Sequence, residues 1–319
     1  MKAAIRNRYD EPMQIVDMPI AEPKSNEVQI RIHATTVNRT GHAVKTGAPY
    51  IMRAFVGLTK PKNPITGVDL AGEVVAVGDR VVEYEVGDKV WALNDEGLGS
   101  HATHINLAVG KYLDLMPPNI SYQQAVASLE GAHYAFNGLR KMDVKDGMKI
   151  LLNGATGAIG SALLQFLKVH KVYITAVCHP KDFDLITSLG ADKLIDYTSQ
   201  NVMGDDEKYD YIIDYRGEPG FFEYKKLLKP NGVVMSSELG AWVQFPLLAL
   251  VTPIFGGRKV IFPIPSKVKR SMEFIKEQIV KNNFKAVIDR SYPLKDIEEA
   301  FEFVGSGMKT GNVVIEMGE

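Results

Sequence analysis

Three observations place this chain among α/β proteins in which a doubly wound parallel sheet is joined to a smaller β-rich unit. From about residue 121 onward, apolar strand patterns alternate with helical ones. The first 120 residues read instead as short strands punctuated by glycine and proline. The third observation is an apolar segment, residues 149–153, that runs into the turn Gly154-Ala155-Thr156-Gly157-Ala158-Ile159-Gly160, from which an amphipathic helix leaves.

In the first half, residues 28–34 alternate apolar with polar, the mark of a half-buried strand. Two more strands are predicted at 71–78 and 89–93, separated by the turn Val86-Gly87-Asp88. Helical periodicity covers Ser121 to Met142, with Ser121 as N-cap. Then strands at 149–153, 172–178, 193–197, 211–214, 232–237 and 260–262 alternate with helices at 158–169, 181–189 and 219–228. Residues 266–281 form a closing helix, and 243–255 reads as a loop and short helix. The end returns to β character, with strands at 287–290 and 312–316 flanking a helix at 294–305. Such an end completes the first unit, giving a doubly wound domain inserted into a split β-rich one.

A strand, a glycine turn and a helix in that order form a dinucleotide site, because the helix N-terminus offers N–H groups and partial positive charge to a pyrophosphate. Gly157 lets the backbone approach the phosphates and Gly160 lets the helix pack on the strand, while Ala155 stands at the first position of G-x-G-x-x-G. An acid ending the second strand would accept hydrogen bonds from a ribose 2′-OH and repel a 2′-phosphate. Here that strand ends Ala176-Val177-Cys178-His179-Pro180-Lys181, with no acid at its tip. Lys181, with His179 beside it, is placed to pair with a 2′-phosphate. NADP(H) is therefore expected in preference to NAD(H).

Composition excludes other classes. A net charge of −1 gives no reason to expect nucleic acid or a membrane surface as a partner. No window of 18 uninterrupted apolar residues occurs, and the first residues lack the apolar run of a signal peptide. The one cysteine, Cys178, excludes an intrachain disulfide and fits a reducing cytoplasm.

Several motifs then occur in a telling order. Residues 67–78, Gly-Val-Asp-Leu-Ala-Gly-Glu-Val-Val-Ala-Val-Gly, fit G-x-D-x-A-G-x-V, and Val86-Gly87-Asp88-Lys89-Val90 follows. Leu189-Gly190-Ala191-Asp192, Asp196-Tyr197, Leu227-Leu228-Lys229-Pro230-Asn231-Gly232, residues 287–294 and Gly311-Asn312-Val313-Val314-Ile315 come later. Together they resemble the medium-chain dehydrogenase/reductase superfamily, in its zinc-independent quinone oxidoreductase branch. The resemblance implies a GroES-like catalytic domain over 1–120, a Rossmann domain over 121–283 and a segment 284–319 that completes the first, with an active-site cleft between the domains. It implies NADPH as hydride source for a quinone or activated alkene, and a homodimer. By the same resemblance Tyr197 lines the adenosine phosphate pocket, Asn38 meets the nicotinamide end, and Tyr50 matches a tyrosine near it. His133 stands where the branch usually carries a small hydroxyl.

Zinc relatives need a first ligand cysteine near Val37-Asn38-Arg39 and a G-H-E motif where this chain has Gly67-Val68-Asp69. One cysteine builds neither the catalytic nor the structural site, and His101 and His104 lack clustered partners, so no metal is expected. Without one, hydrogen-bond donors must stabilise the oxyanion that hydride transfer builds, and one good donor contributes about 3–4 kcal/mol. Tyr50 and His133 are the candidate donors, and Asn38 positions the nicotinamide or the substrate carbonyl. Two other readings stand beside a quinone or enone reductase acting on a small apolar substrate. One is an enoyl-thioester reductase, with Arg39, Lys45 and Arg53 as cations for a carrier phosphate. The other is an NADPH-binding partner protein with little turnover.

Overall fold

The computed structural model describes residues 1–9, 11–47, 53, 57–94, 96–110 and 112–318. The chain divides into two compact units. One comprises Met1–Glu130, Lys267–Val280 and Lys285–Glu319; the other comprises Gly131–Ser266 and Lys281–Phe284.

The first unit is built on a seven-stranded sheet in the spatial order Ile288–Pro293, Asn312–Glu316, Glu27–Val37, Asp69–Val77, Lys89–Leu93, Leu113–Leu115, with His104–Ala108 also paired to Glu27–Val37. All of its pairs are antiparallel except the parallel pair Ile288–Pro293 and Asn312–Glu316. The C-terminal strand lies second in this order, with Val313 opposite Val37 and Glu316 opposite Ala34. Its inner face, with Ile30, Leu70, Val90 and Val313, meets Phe301 and Val304 of the helix Ile297–Gly305 in one core.

The helix Arg39–Thr46 ends at Gly47, whose left-handed backbone (φ 61°) turns the chain away. A helix leaves its last carbonyls without partners inside the helix. Here the buried Arg6 guanidinium supplies donors, to the Val44 carbonyl at 3.2 Å and to the Lys45 carbonyl. Burial lowers the Arg6 pKa from its ordinary value, partly offset by Tyr9 and Glu298.

The second unit carries six parallel strands ordered Lys193–Asp196, Tyr173–Cys178, Lys149–Asn153, Tyr209–Asp214, Leu228–Ser236, Lys259–Ile261. Numbered by their order along this unit, that is 3-2-1-4-5-6, the doubly wound order whose chain reversal lies beside the first strand. Leu151, Ile212, Val234 and Tyr224 pack in one core of this unit.

Several elements depart from the sequence expectation. The helix expected over 121–142 is two helices, Tyr122–Ala127 and Glu130–Leu139, because Ser128 closes the first by bonding its Oγ to the Gln124 carbonyl at 2.7 Å. The Tyr122–Ala127 helix groups with the first unit, where the Gln124 side chain donates to the Ala286 carbonyl. The helix Val268–Val280, expected to close the nucleotide domain, also groups with the first unit; Lys276 there donates to the Leu115 carbonyl at 2.8 Å. The helix expected over 219–228 shortens to Phe221–Tyr224, because Leu228 starts a strand opposite Tyr209. That strand carries a register shift at Lys229–Gly232 before pairing resumes at Val233. This is how Pro230 sits inside it.

Replacing Arg6 with Met leaves the Val44 and Lys45 carbonyls without their donors, and should cost roughly 2–3 kcal/mol of unfolding free energy in a urea titration.

Candidate functional site

The strand Lys149–Asn153 lies in the middle of the parallel sheet, and its C-terminal end delivers the glycine turn. Gly154 adopts φ +86°, which a side chain would resist, and its carbonyl accepts the Gly157 N–H at 3.2 Å. Gly157 caps the helix Ala158–Lys168 without a side chain of its own, so the first N–H groups of that helix face the turn. A Cβ at Gly160 would lie 2.1 Å from the Gly154 carbonyl oxygen. This glycine therefore serves the close approach of helix to turn. Gly154, Thr156, Gly157, Ala158 and Ile159 are half-buried, whereas Ala155 and Gly160 are buried.

Beneath the turn lies a hydrogen-bonded group missing from the sequence reading. Asn153 Nδ2 bonds to Asp214 Oδ1 at 3.0 Å, to the Glu218 carbonyl at 3.0 Å and to Tyr224 Oη at 2.9 Å. The Asp214 carboxylate also accepts the Arg216 and Gly217 N–H groups at 3.1 and 2.9 Å. It thereby shapes the turn that ends the fourth strand. Burial is the main cause that pushes the Asp214 carboxyl up to about 7, with Glu238 adding to it and the N–H donors opposing.

The turn held by Asp214 presents Arg216, whose Cζ lies 5.4 Å from the centre of the Tyr197 ring. The His179 ring meets Tyr197 edge-on at 6.0 Å, and His179 Nδ1 accepts the Lys181 N–H at 3.1 Å. The structure thus gathers His179, Tyr197 and Arg216 at the ends of the second, third and fourth strands, and hydrogen-bonds the Lys181 backbone to His179. Asp196, the acid beside Tyr197, has its oxygens committed to Thr198 N and Oγ1 at 2.8 and 2.7 Å and to Ser199 Oγ at 2.7 Å. Those bonds hold its carboxyl below the usual carboxylate range. Arg216 has a sequence signature once strand order is known: a cation before a glycine at the C-terminal end of a parallel strand, where ligands of such sheets bind.

In the first unit, Asn38 is the N-cap of Arg39–Thr46. Its Oδ1 accepts the Gly41 N–H at 2.6 Å and its Nδ2 lies 3.5 Å from Thr36 Oγ1. Thr36 is tied in turn to the buried Asp69, through its N–H at 2.9 Å and its Oγ1 at 2.6 Å. Burial pushes the Asp69 carboxyl up to about 6 against these hydrogen bonds. His101 lies in the same group of residues. Its Nε2 donates to the Thr36 carbonyl at 3.0 Å, which leaves Nδ1 to accept from Thr66 Oγ1 at 2.7 Å. Burial lowers its pKa to about 4. Tyr50 lies outside the described residues. His133, in the second unit, is fully buried; its ring meets Tyr134 edge-on and its carbonyl accepts Asn137 Nδ2 at 2.9 Å.

Among the described residues, metal donors do not come together. Both ring nitrogens of His101 are engaged, and Cys178 is buried with its thiol pushed up to about 11. Among the described residues no three of His, Cys, Asp and Glu stand close enough to hold an ion.

Comparison with known proteins gives this arrangement its class. Residues 24–112 match the alcohol dehydrogenase GroES-like domain, and residues 189–315 match a domain described as zinc-binding dehydrogenase. A chloroplast envelope quinone oxidoreductase homolog of Arabidopsis thaliana is 28% identical over 315 residues, covering 95% of this chain and 94% of its own. The chloroplastic quinone-oxidoreductase QR1 of Triphysaria versicolor is 29% identical over 313 residues, covering 94% and 93%. Among solved structures, the quinone oxidoreductase of Coxiella burnetii aligns with a TM-score of 0.85 at 19% identity, covering 100% of this chain and 99% of the other. The quinone oxidoreductase of Escherichia coli in complex with NADPH aligns at 0.81 and 20%, covering 99% and 100%. At these identities the structures speak for the fold, a Rossmann sheet with a GroES-like domain. The chain belongs to the medium-chain dehydrogenase/reductase superfamily and is an oxidoreductase of that type. Within the superfamily it falls in the quinone oxidoreductase-like branch.

The raised pKa of Asp214 carries a signed expectation. The folded chain holds a proton that the unfolded chain releases near pH 4, so this residue's contribution to stability falls as pH rises from about 4 to about 7. Thermal melts of the wild type and Asp214→Asn should therefore show the wild type gaining relative to the variant as pH is lowered from about 8 to 5.

Proposed function

We propose that this chain is a zinc-independent, NADPH-dependent reductase that delivers a hydride to a quinone or an α,β-unsaturated carbonyl. The observation that carries the cofactor preference is the cationic surround at the strand ends. Arg216 lies over the Tyr197 ring, His179 meets that ring edge-on and accepts the Lys181 N–H, and the acid beside Tyr197, Asp196, has its oxygens engaged by Thr198 and Ser199. A 2′-phosphate would meet the Arg216 guanidinium there, with Lys181 two residues beyond His179 as a second cation. The glycine turn and the N–H groups of Ala158–Lys168 would hold the pyrophosphate.

The bound cofactor supplies the hydride. Hydride arrival at the alkene or quinone carbon leaves negative charge on the carbonyl oxygen, and the protein's task is to stabilise that charge and return a proton. With Asn38 Oδ1 committed to Gly41, its Nδ2 is the end that serves as donor. His133 and Tyr50 are assigned as hydrogen-bond donors to the oxyanion.

The enoyl-thioester alternative loses ground on two of its three cations. Lys45 pairs with Glu298, and Arg53 donates to the Gly47 carbonyl at 3.2 Å while lying over the Tyr9 ring. The strand Lys259–Ile261 ends the parallel sheet, and pairing of that edge across a two-fold is the homodimer we propose.

Oxidation of NADPH should proceed with members of a panel of quinones and 2-enones and survive a chelator, with metal analysis finding no stoichiometric zinc. NADPH binding without any turnover across that panel would favour the regulatory reading. The double variant Lys181→Gln/Arg216→Gln should weaken NADPH binding roughly 10–100-fold, read by cofactor fluorescence, while moving NADH binding little. Equal losses for both cofactors would refute the 2′-phosphate assignment. Unchanged turnover in both Tyr50→Phe and His133→Ala would remove the donor assignment.

A further inference from the structure

The strands Glu27–Val37 and Asp69–Val77 run antiparallel with Ala34 opposite Ala71, and the same register carried two residues on sets Asp69 against Thr36. Asp69 is fully buried there. Among the described residues its carboxylate is met by uncharged donors: Oδ1 by the Thr36 N–H at 2.9 Å and Thr35 Oγ1 at 3.2 Å, Oδ2 by Thr36 Oγ1 at 2.6 Å. A buried carboxylate without a cation is costly to ionise, and an apolar residue would serve the end of a strand without that cost. The bonds show what the acid does for its neighbours. Asn38 keeps extended backbone (φ −127°), so its side chain and that of Thr36 leave the same face of the chain, and Asn38 Nδ2 lies 3.5 Å from Thr36 Oγ1.

A threonine hydroxyl has one proton and two lone pairs. Against an ionised Asp69 that proton goes to Oδ2, and Thr36 Oγ1 turns a lone pair towards Asn38 Nδ2. The Gly41 N–H holds the other end of the same amide, Oδ1, at 2.6 Å. Both ends of the Asn38 side chain are then fixed, and one Nδ2 hydrogen remains to be given. A protonated Asp69 reverses the order. Oδ1 already faces two donors, so the acid proton sits on Oδ2 and is given to Thr36 Oγ1, whose own proton swings out towards the Asn38 amide hydrogens. Donor then faces donor, and the amide loses its tether. We propose that Asp69 is a positioning residue: ionised, it acts through the Thr36 hydroxyl to hold the Asn38 amide as donor to the carbonyl oxygen of the acceptor. The part assigned to the acceptor rests on the reductase reading; the chain of bonds from Asp69 to Asn38 does not. Burial pushes the Asp69 carboxyl up to about 6 while the threonine donors oppose it. His101, the other titratable group of this network, donates Nε2 to the Thr36 carbonyl and is lowered by burial to about 4, so it stays neutral while Asp69 titrates.

The Asn38 side-chain amide can be followed by NMR in the full-length protein labelled with ¹⁵N-asparagine, its signal identified by its loss in Asn38→Ser, which keeps an N-cap. In the wild type that signal should shift with a midpoint near pH 6. It should stay flat in Asp69→Asn, which donates to Thr36 as the protonated acid would, and in Thr36→Val, whereas Thr36→Ser should keep the titration. With any acceptor the wild type reduces, kcat at saturating NADPH should fall about tenfold as pH drops through the same midpoint. Asp69→Asn should be about tenfold slow at pH 8 and lack that limb, with KM for NADPH little changed. An Asn38 signal that is flat from pH 5 to 8 in the wild type, or that titrates unaltered in Asp69→Asn, would overturn the proposal. So would an acid limb in kcat that survives Thr36→Val, the variant that carries the test if Asp69→Asn does not fold. Absence of turnover in every form would count against the reductase reading alone, and the amide titration would still decide the role of Asp69.

Discussion

The carboxylate of Asp214 is the constraint on which the end of the parallel sheet that carries the glycine turn depends. It takes hydrogen bonds from Asn153, which ends the first strand, and from the Arg216 and Gly217 N–H groups, which follow the fourth. One buried group therefore sets both the base of the glycine turn and the direction in which Arg216 leaves the sheet. Tyr224 and the Glu218 carbonyl, bonded to the same Asn153 amide, bring the next connection into the arrangement. Such a network is costly when half-satisfied and rigid when complete. Three of the five bonds cross from one element to another, so a buried group places the turns at the ends of the first and fourth strands.

The first unit solves a similar problem around Asp69. Its carboxylate fixes Thr36, the residue two before Asn38, and His101 fixes the carbonyl of the same Thr36. The two ionisable groups are buried neutral-leaning in opposite senses, the acid pushed up to about 6 and the imidazole down to about 4. Between those values their contributions to stability run against each other as pH changes. The Asn38 side chain inherits its orientation from this group and from the helix it caps.

Much of the fold was legible because local pattern and tertiary role agreed. The strand at 149–153 and the strand at 312–316 are apolar runs bounded by glycine, and both appear with the expected limits. The expected helix at 219–228 failed where they disagreed. Leu227 and Leu228 fall inside the expected helix, but Tyr209 takes Leu228 as a strand partner and its N–H bonds to the Leu227 carbonyl. The glycine turn, Lys181 and Tyr197 were visible as sequence motifs, whereas Arg216 was not. Its closeness to Tyr197, nineteen positions earlier in the chain, follows only from the strand order of the sheet. Hydropathy likewise marks 243–255 as apolar but does not say that half of the helix there faces water, because burial belongs to the packed molecule and not to the residue.

The position of Cys178 has a chemical consequence of its own. Quinones and enones, the acceptors proposed here, are soft electrophiles that alkylate thiolates by conjugate addition. A cysteine is vulnerable in proportion to its exposure and its ionised fraction. This chain has one cysteine; it lies buried at the end of a central strand, and burial and the nearby Asp182 and Asp196 hold its thiol protonated well above neutral pH. A chain so built offers such an electrophile no exposed thiolate to alkylate at neutral pH.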